Sequence, residues 1–78
     1  MAYYIQTIEQ IRQDGVLKEY GGMEKVNDET SALSKYYKKL SDVSADLGKN
    51  HTYMSIRLIT SEDYMVKGDT VGAYVEEE

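Results

Sequence analysis

The chain is 78 residues long, contains no Cys and no Pro, and carries a formal net charge of -5 from 14 acidic and 9 basic residues. This length fits one small domain, residues 1–78, and excludes a two-domain enzyme. The absence of Cys excludes disulfides, thiolate metal sites and cysteine nucleophiles, and a single His does not make a zinc site. Because so small a core is only marginally stable, we expect self-association, most simply as a homodimer.

Neither a membrane nor a cofactor is expected from the sequence. Residues 1–11 lack the basic start of a secretion signal, and no run reaches the roughly 18 apolar residues of a membrane-spanning helix. No metal-ligand spacing or phosphate-binding glycine loop occurs. We therefore expect a cytoplasmic protein without cofactors, whose negative charge disfavours direct binding to nucleic acid or anionic lipid.

The first predicted element is a strand within residues 3–13. Alternating apolar side chains fit a strand, although the same segment also fits an amphipathic helix ending at Gly15. The Asp14-Gly15 pair favours the strand. A type I′ hairpin turn needs positive φ at both central residues, and Asp-Gly adopts these values readily.

Glycines predict irregular backbone in two of the later strands. The second strand runs from Val16 to about Lys25, and Gly21-Gly22 inside it indicates a bulge or a close approach of another backbone. The last segment, 64–75, is interrupted by Gly68-Asp69, so it is either one bulged strand or two short ones.

A helix over about residues 28–47 is the clearest element of the chain. Asn27 or Asp28 provides the N-cap, and Gly48 is placed to end the helix in a left-handed conformation. Apolar residues recur at spacings of three and four, at Leu33, Tyr36, Tyr37, Leu40, Val43 and Leu47. This stripe predicts one face packed against the rest of the domain.

Residues 51–60 alternate as a strand with one buried face, formed by Met54, Ile56 and Leu58. The opposite face carries Tyr53, Ser55, Arg57 and Ile59. The order ββαββ predicts an α+β domain of two layers, with a four-stranded antiparallel sheet and one helix across a single face. The uncovered face, with Tyr3 or Tyr4 added to Tyr53 and Ile59, is then an apolar surface for a partner or a second copy.

No catalytic constellation emerges, so we expect that the protein is not an enzyme. His51 is the only residue whose ordinary titration lies near neutral pH, and its position between helix and strand favours a surface-loop His. The alternative function is a small nucleic-acid-binding domain that uses the helix face of Lys35, Lys38 and Lys39.

The negative charge is concentrated near the C-terminus. Residues 51–78 carry six acidic and two basic side chains, so four of the five net negative charges lie there. The candidate acidic rim consists of Glu62, Asp63, Asp69, Glu76, Glu77 and Glu78. Together with Tyr53, Arg57 and Ile59 it predicts an interaction surface for a protein with a basic surface. The competing interpretation is a solubilising tail that protects an edge strand.

Four segments resemble small proteins encoded in prophages and other mobile elements of gut Firmicutes. They are Met1-Ala2-Tyr3-Tyr4-Ile5, Asp14-Gly15, Asp28-Glu29 and Gly72-Ala73-Tyr74-Val75-Glu76. The resemblance spans most of the chain as a pattern, and no functional residue can be carried over. It implies an accessory role in the host cytoplasm, in which small acidic domains inhibit host defence proteins such as CRISPR effectors by binding them. Our leading hypothesis is therefore a non-catalytic protein-binding module that inhibits a host protein or self-associates.

Overall fold

The structure is a computed structural model that describes residues 2–76. Its elements are β1 (Tyr3–Gln13), β2 (Val16–Val26), α1 (Glu29–Asp46), β3 (His51–Thr60) and β4 (Met65–Gly72). The strands form one antiparallel sheet in the order β2-β1-β3-β4, and α1 packs on one side of it. The predicted two-layer ββαββ domain is therefore confirmed.

The strand interpretation of residues 3–13 is confirmed, because these residues form β1 in a regular hairpin with β2. Asp14 and Gly15 have φ of 53° and 77°, the positive values that a type I′ turn requires. The turn fixes the register, so that Gln13 lies opposite Val16 and Tyr3 opposite Val26.

The helix begins and ends at the predicted caps. The Asp28 side chain accepts a hydrogen bond from the Ser31 backbone N–H at 2.8 Å, which satisfies one of the donors left free at a helix start. Gly48 follows the C-cap with φ of 84°, in the left-handed region that glycine adopts readily.

The predicted apolar stripe of the helix needs one correction. Tyr37 is 49% exposed, whereas Tyr36 and Ala32 are fully buried. Successive helix residues are about 100° apart, so Tyr36 and Tyr37 do not both face the sheet. The Tyr37 ring packs edge-on against Tyr36 and lies under the Lys67 ammonium group.

The core lies between α1 and the sheet, mainly against the two central strands β1 and β3. It comprises Ile5, Val26, Ala32, Tyr36, Val43, Met54, Ile56 and Leu58. The predicted buried face of β3 is confirmed, since Met54, Ile56 and Leu58 are all fully buried. Because the helix contacts β2 least, most of β2 stays exposed.

The predicted bulge at Gly21-Gly22 is wrong, because β1 and β2 pair without a register shift. What approaches Gly22 is a side chain: a Cβ built there would lie 3.2 Å from Thr7 Oγ1. The register shifts occur instead between β1 and β3 at Gln10/Ile11, and between β3 and β4 at Leu58/Ile59. In the second shift the extra residue is Val66, so β4 is one bulged strand that Gly68 does not interrupt.

After β4 the chain leaves the sheet edge and crosses a sheet face. Gly72 turns the backbone with φ of 74°, and the next residue, Ala73, donates its N–H to the Thr52 carbonyl at 3.1 Å. The buried Gln10 amide then holds Val75 on both sides: its Nε2 donates to the Val75 carbonyl, and its Oε1 accepts from the Val75 N–H. We call residues 73–76 the strap.

Candidate functional site

The face of the sheet opposite α1 is the candidate site, and we call it the open face. Side chains alternate between faces along a strand, and the register places Tyr4 opposite Ile59 and Gln6 opposite Arg57 on this side. Ile59 in turn lies opposite Met65 of β4. Of the two tyrosines considered for this surface, Tyr4 belongs to it, while Tyr3 faces the helix and its hydroxyl donates to Glu29.

One group of open-face side chains forms a continuous surface across three strands. We call it the Arg57 patch, and it consists of Tyr4, Ile8, Arg57, Ile59 and Met65. Ile8 is 43% exposed and Met65 is 56% exposed, and contiguous exposed apolar side chains of this kind mark interaction sites. Arg57 is exposed, and no carboxylate among residues 2–76 lies within ion-pair distance of it.

Tyr53, a predicted contact residue, already packs against another part of the same chain. Its ring packs edge-on against Tyr74 of the strap, with ring centroids 5.4 Å apart, and the Tyr74 hydroxyl donates to Glu19. The strap therefore covers the open face near the hairpin turn. Arg57 and Ile59 lie farther along β3, beyond the strap; Arg57 is exposed and Ile59 is half-buried.

The structure does not bring the predicted acidic residues together. Glu62 and Asp63 lie in the turn between β3 and β4, whereas Glu76 ends the strap near the other end of the sheet, roughly 30 Å away along β3. Asp69 is on the helix side of β4. Glu77 lies outside the described residues, as does Glu78. A single acidic rim is therefore absent from the described part of the chain.

Asp69 has a structural contact that the sequence did not indicate. Its Oδ2 accepts a hydrogen bond from the hydroxyl of Tyr36, the largest fully buried side chain of the core. Burial and this bond raise the pKa of Tyr36 above its usual value. Asp69 therefore satisfies the one polar atom that Tyr36 brings into the core.

A cluster of ionisable side chains surrounds His51. The prediction that His51 is a surface-loop residue is wrong. It is the first residue of β3, and the bulge beside it turns its side chain to the helix side, where the side chain is 16% exposed. Nδ1 lies 2.6 Å from Asp46 Oδ2 and Nε2 lies 3.0 Å from Glu9 Oε1, which also pairs with Lys39 at 3.0 Å. The imidazole donates to both carboxylates only when both nitrogens carry protons.

This cluster connects three elements of the fold. Glu9 belongs to β1, Asp46 to α1 and His51 to β3. Each imidazole nitrogen faces a carboxylate of a different element. The separation of 42 residues between Glu9 and His51 explains why no sequence spacing indicated the contact.

The Asp46 contact makes part of the stability depend on pH. The hydrogen bond with His51 lowers the pKa of Asp46 below its ordinary value. A carboxylate whose pKa is lower in the folded state stabilises the fold above its unfolded pKa of about 3.9, and loses that effect as the pH falls through the folded pKa. We expect Asp46→Asn to reduce the free energy of unfolding near pH 6, and urea titrations to show that the difference from wild type shrinks as the pH falls below about 4.

Asp42→Asn is the control for this prediction, because it removes a carboxylate from an exposed position one turn earlier in α1. It measures the effect of losing one negative charge without losing the His51 contact. An equal pH dependence in the two variants would show that the Asp46–His51 bond adds no stability.

Two of the three lysines proposed to contact nucleic acid form ion pairs within the chain. Lys35 pairs with Glu24 of β2, and Lys39 pairs with Glu9 of β1. Lys38 is exposed on the side of α1 away from the sheet. The three ammonium groups therefore do not form one uncompensated basic face, and nucleic-acid binding through them stays a prediction.

No group of three His, Cys, Asp or Glu side chains in residues 2–76 is placed to hold a metal ion. Over the same residues, no helix has both the length and the apolar character needed to cross a bilayer. Comparison with known proteins gives no match to a family model, a curated protein or a solved structure.

Proposed function

We propose that the chain is a non-catalytic protein-binding module whose Arg57 patch is the contact surface. The observation that supports this proposal is the placement of Arg57, a guanidinium without a carboxylate partner among the described residues, between exposed apolar side chains. Interfaces between proteins are enriched in this combination of Arg, aromatic residues and Met.

The geometry of the patch suits a partner that is mostly apolar. Tyr4 and Ile59 lie opposite each other on the two central strands, and Met65 continues the row onto β4. A rigid sheet presents these side chains without a loop that must be ordered, which keeps the entropic cost of binding low. The contacting surface of the partner is therefore predicted to be flat and apolar.

The positive charge of Arg57 predicts which charged group the partner carries. Arg57 presents a fork of N–H donors that matches a carboxylate, so the partner is predicted to place an Asp or Glu opposite it. The charged side chains of the open face are Arg12, Lys25 and Arg57 against Glu19 on the strands and Glu76 on the strap, so no carboxylate of the sheet face is placed beside Arg57. A partner with a basic surface stays a prediction without the single acidic rim, as does the role in a mobile element.

A photo-crosslinking residue at Met65 tests the surface, with the same residue at Ser41 on the outer side of α1 as the matched control. In a lysate of the organism that encodes the chain, we expect one protein to be crosslinked from Met65 and from Ile8, but not from Ser41. A crosslinked nucleic acid, or equal products from both sides of the domain, would contradict the proposal.

Arg57→Glu is expected to weaken binding of that protein roughly thirtyfold or more, the effect of losing an interface hot spot. Lys38→Glu makes the same change of charge on the far side of the domain and is expected to bind as wild type does. Titration calorimetry or biolayer interferometry measures both variants. Equal weakening by the two would assign the effect to net charge, and the patch would lose its role.

A further inference from the structure

The outer edge of strand β2 has no backbone pairing partner among the described residues. Its 11 residues pair with β1 on one side without a register shift, and no described strand lies on its other side. The opposite edge, β4, is shorter and contains the irregularity at Val66. Bulges and short strands protect an edge from further pairing, so β4 is protected and β2 is not.

The hairpin turn determines which backbone groups of β2 are free. A two-residue turn makes Gln13 and Val16 a hydrogen-bonded pair, and bonding then alternates along the ladder. The even-numbered residues of β2 therefore bond to β1. The N–H and C=O groups of Leu17, Glu19, Gly21, Met23 and Lys25 point away from the sheet.

β2 is complementary to itself when it pairs antiparallel with a second copy. Full overlap of the two strands places Gly21 opposite Gly21 of the copy, with a two-fold axis between them. All outward-pointing residues then oppose outward-pointing residues, so the backbone hydrogen bonds can form. The same register places Lys18 opposite Glu24 of the copy, twice by symmetry.

The Lys18–Glu24 contacts occur at favourable positions. Both residues are even-numbered, so they form non-hydrogen-bonded pairs, in which side chains lie closest together. Glu24 already pairs with Lys35 of its own chain, so Lys18 of the copy would complete a row of alternating charges. Charged edge residues normally oppose strand pairing, but here the charges that face each other have opposite signs.

The aromatic and glycine residues of β2 fit the same register. Tyr20, which is 45% exposed, lies opposite Gly22 of the copy. An aromatic ring across from a strand glycine covers the backbone that the missing side chain leaves bare. Val16 lies opposite Val26, which completes the overlap at both ends.

We propose that the chain forms a two-fold symmetric dimer by antiparallel pairing of β2 with β2 of a second copy, centred on Gly21. The two sheets become one sheet of eight strands, with both helices on the same side. This dimer does not rest on the proposed function, because it uses the sheet edge and leaves the Arg57 patch uncovered.

Charge reversal at the paired positions tests the register. We expect sedimentation equilibrium to show a dimer for wild type, and a dissociation constant about tenfold weaker for Lys18→Glu, which faces Glu24 of the copy with a like charge. Glu24→Lys is expected to weaken the dimer similarly, and the double variant Lys18→Glu/Glu24→Lys to recover most of the affinity. Lys49→Glu, at an exposed position in the turn between α1 and β3, controls for net charge and should leave the dimer unchanged.

A second pair of variants tests the backbone contact. Gly21→Pro removes an outward N–H at the centre of the interface without removing a bond to β1, and is expected to give a folded monomer. Gly21→Ala keeps the N–H, and its Cβ would meet only the Thr7 carbonyl at 3.9 Å, so it should stay dimeric. A wild-type monomer at all concentrations, no recovery in the double variant, or a folded and dimeric Gly21→Pro chain would each overturn the proposal.

Discussion

Ile56→Ala is expected to lower the free energy of unfolding by about 2–5 kcal/mol, the cost of a large-to-small substitution in a packed core. Ile56 is fully buried at the centre of β3, between the likewise buried Met54 and Leu58. A domain of this length is stabilised by only about 5 kcal/mol in total. We therefore expect a large part of the Ile56→Ala chain to be unfolded at 37 °C, as measured by urea titration with circular dichroism.

Ile59→Ala on the same strand is the matched control, because it deletes the same atoms from the open face. Ile59 is half-buried, so its loss is expected to cost about 1 kcal/mol or less. Both variants must be compared at one protein concentration, since self-association would add to the apparent stability. Similar losses from the two substitutions would mean that both faces of β3 are covered in solution.

Gly72→Ala is expected to release the strap from the open face. A Cβ at this position would lie 2.2 Å from the Thr52 carbonyl oxygen, which is a backbone atom and has no free rotation to move aside. The φ of 74° adds the strain of a left-handed conformation, about 1 kcal/mol for Ala. We expect a loss of about 2–4 kcal/mol, or a shift of the backbone that breaks the Ala73–Thr52 hydrogen bond.

Gly48→Ala is the control variant, because it tests backbone strain without a steric clash. Gly48 also has a positive φ, of 84°, but no atom lies within 4 Å of the Cβ that Ala would add. Its substitution should therefore cost only about 1 kcal/mol. Amide exchange at Val75 measures the release of the strap directly: we expect faster exchange in Gly72→Ala and unchanged exchange in Gly48→Ala.

Local chemistry was enough to predict most of the fold. Asp14-Gly15, Asp28 and Gly48 each determine the backbone within a few residues of themselves, so their turn and caps could be predicted without tertiary information. Alternation along β3 also identified its buried face correctly. A bulge in the last strand was one of two predicted alternatives, but it lies at Val66 and not at Gly68-Asp69. The bulge between β1 and β3 was not predicted, because a bulge depends on the neighbouring strand and a glycine pair such as Gly21-Gly22 only permits one.

The site was predictable only in part. Arg57 and Ile59 were identified from alternation, but the positions of the acidic residues depend on which end and which face of the sheet each one occupies. Contacts such as Gln10 with Val75, 65 residues apart, leave no periodic signal. The Glu9–His51–Asp46 cluster has the same origin, since a bulge turns His51 away from the face that simple alternation assigns to it.

The position of β1 between β2 and β3 has a consequence for how the chain folds. Pairing β1 with β2 closes only a two-residue turn, a step that takes microseconds in isolated hairpins. Pairing β1 with β3 joins Tyr3 to Thr60 and requires the whole helical segment to be placed first. The larger loop entropy makes this second pairing the slow step. Until it occurs, the hairpin has two free edges and an uncovered Ile5, which is when the chain is most open to aggregation.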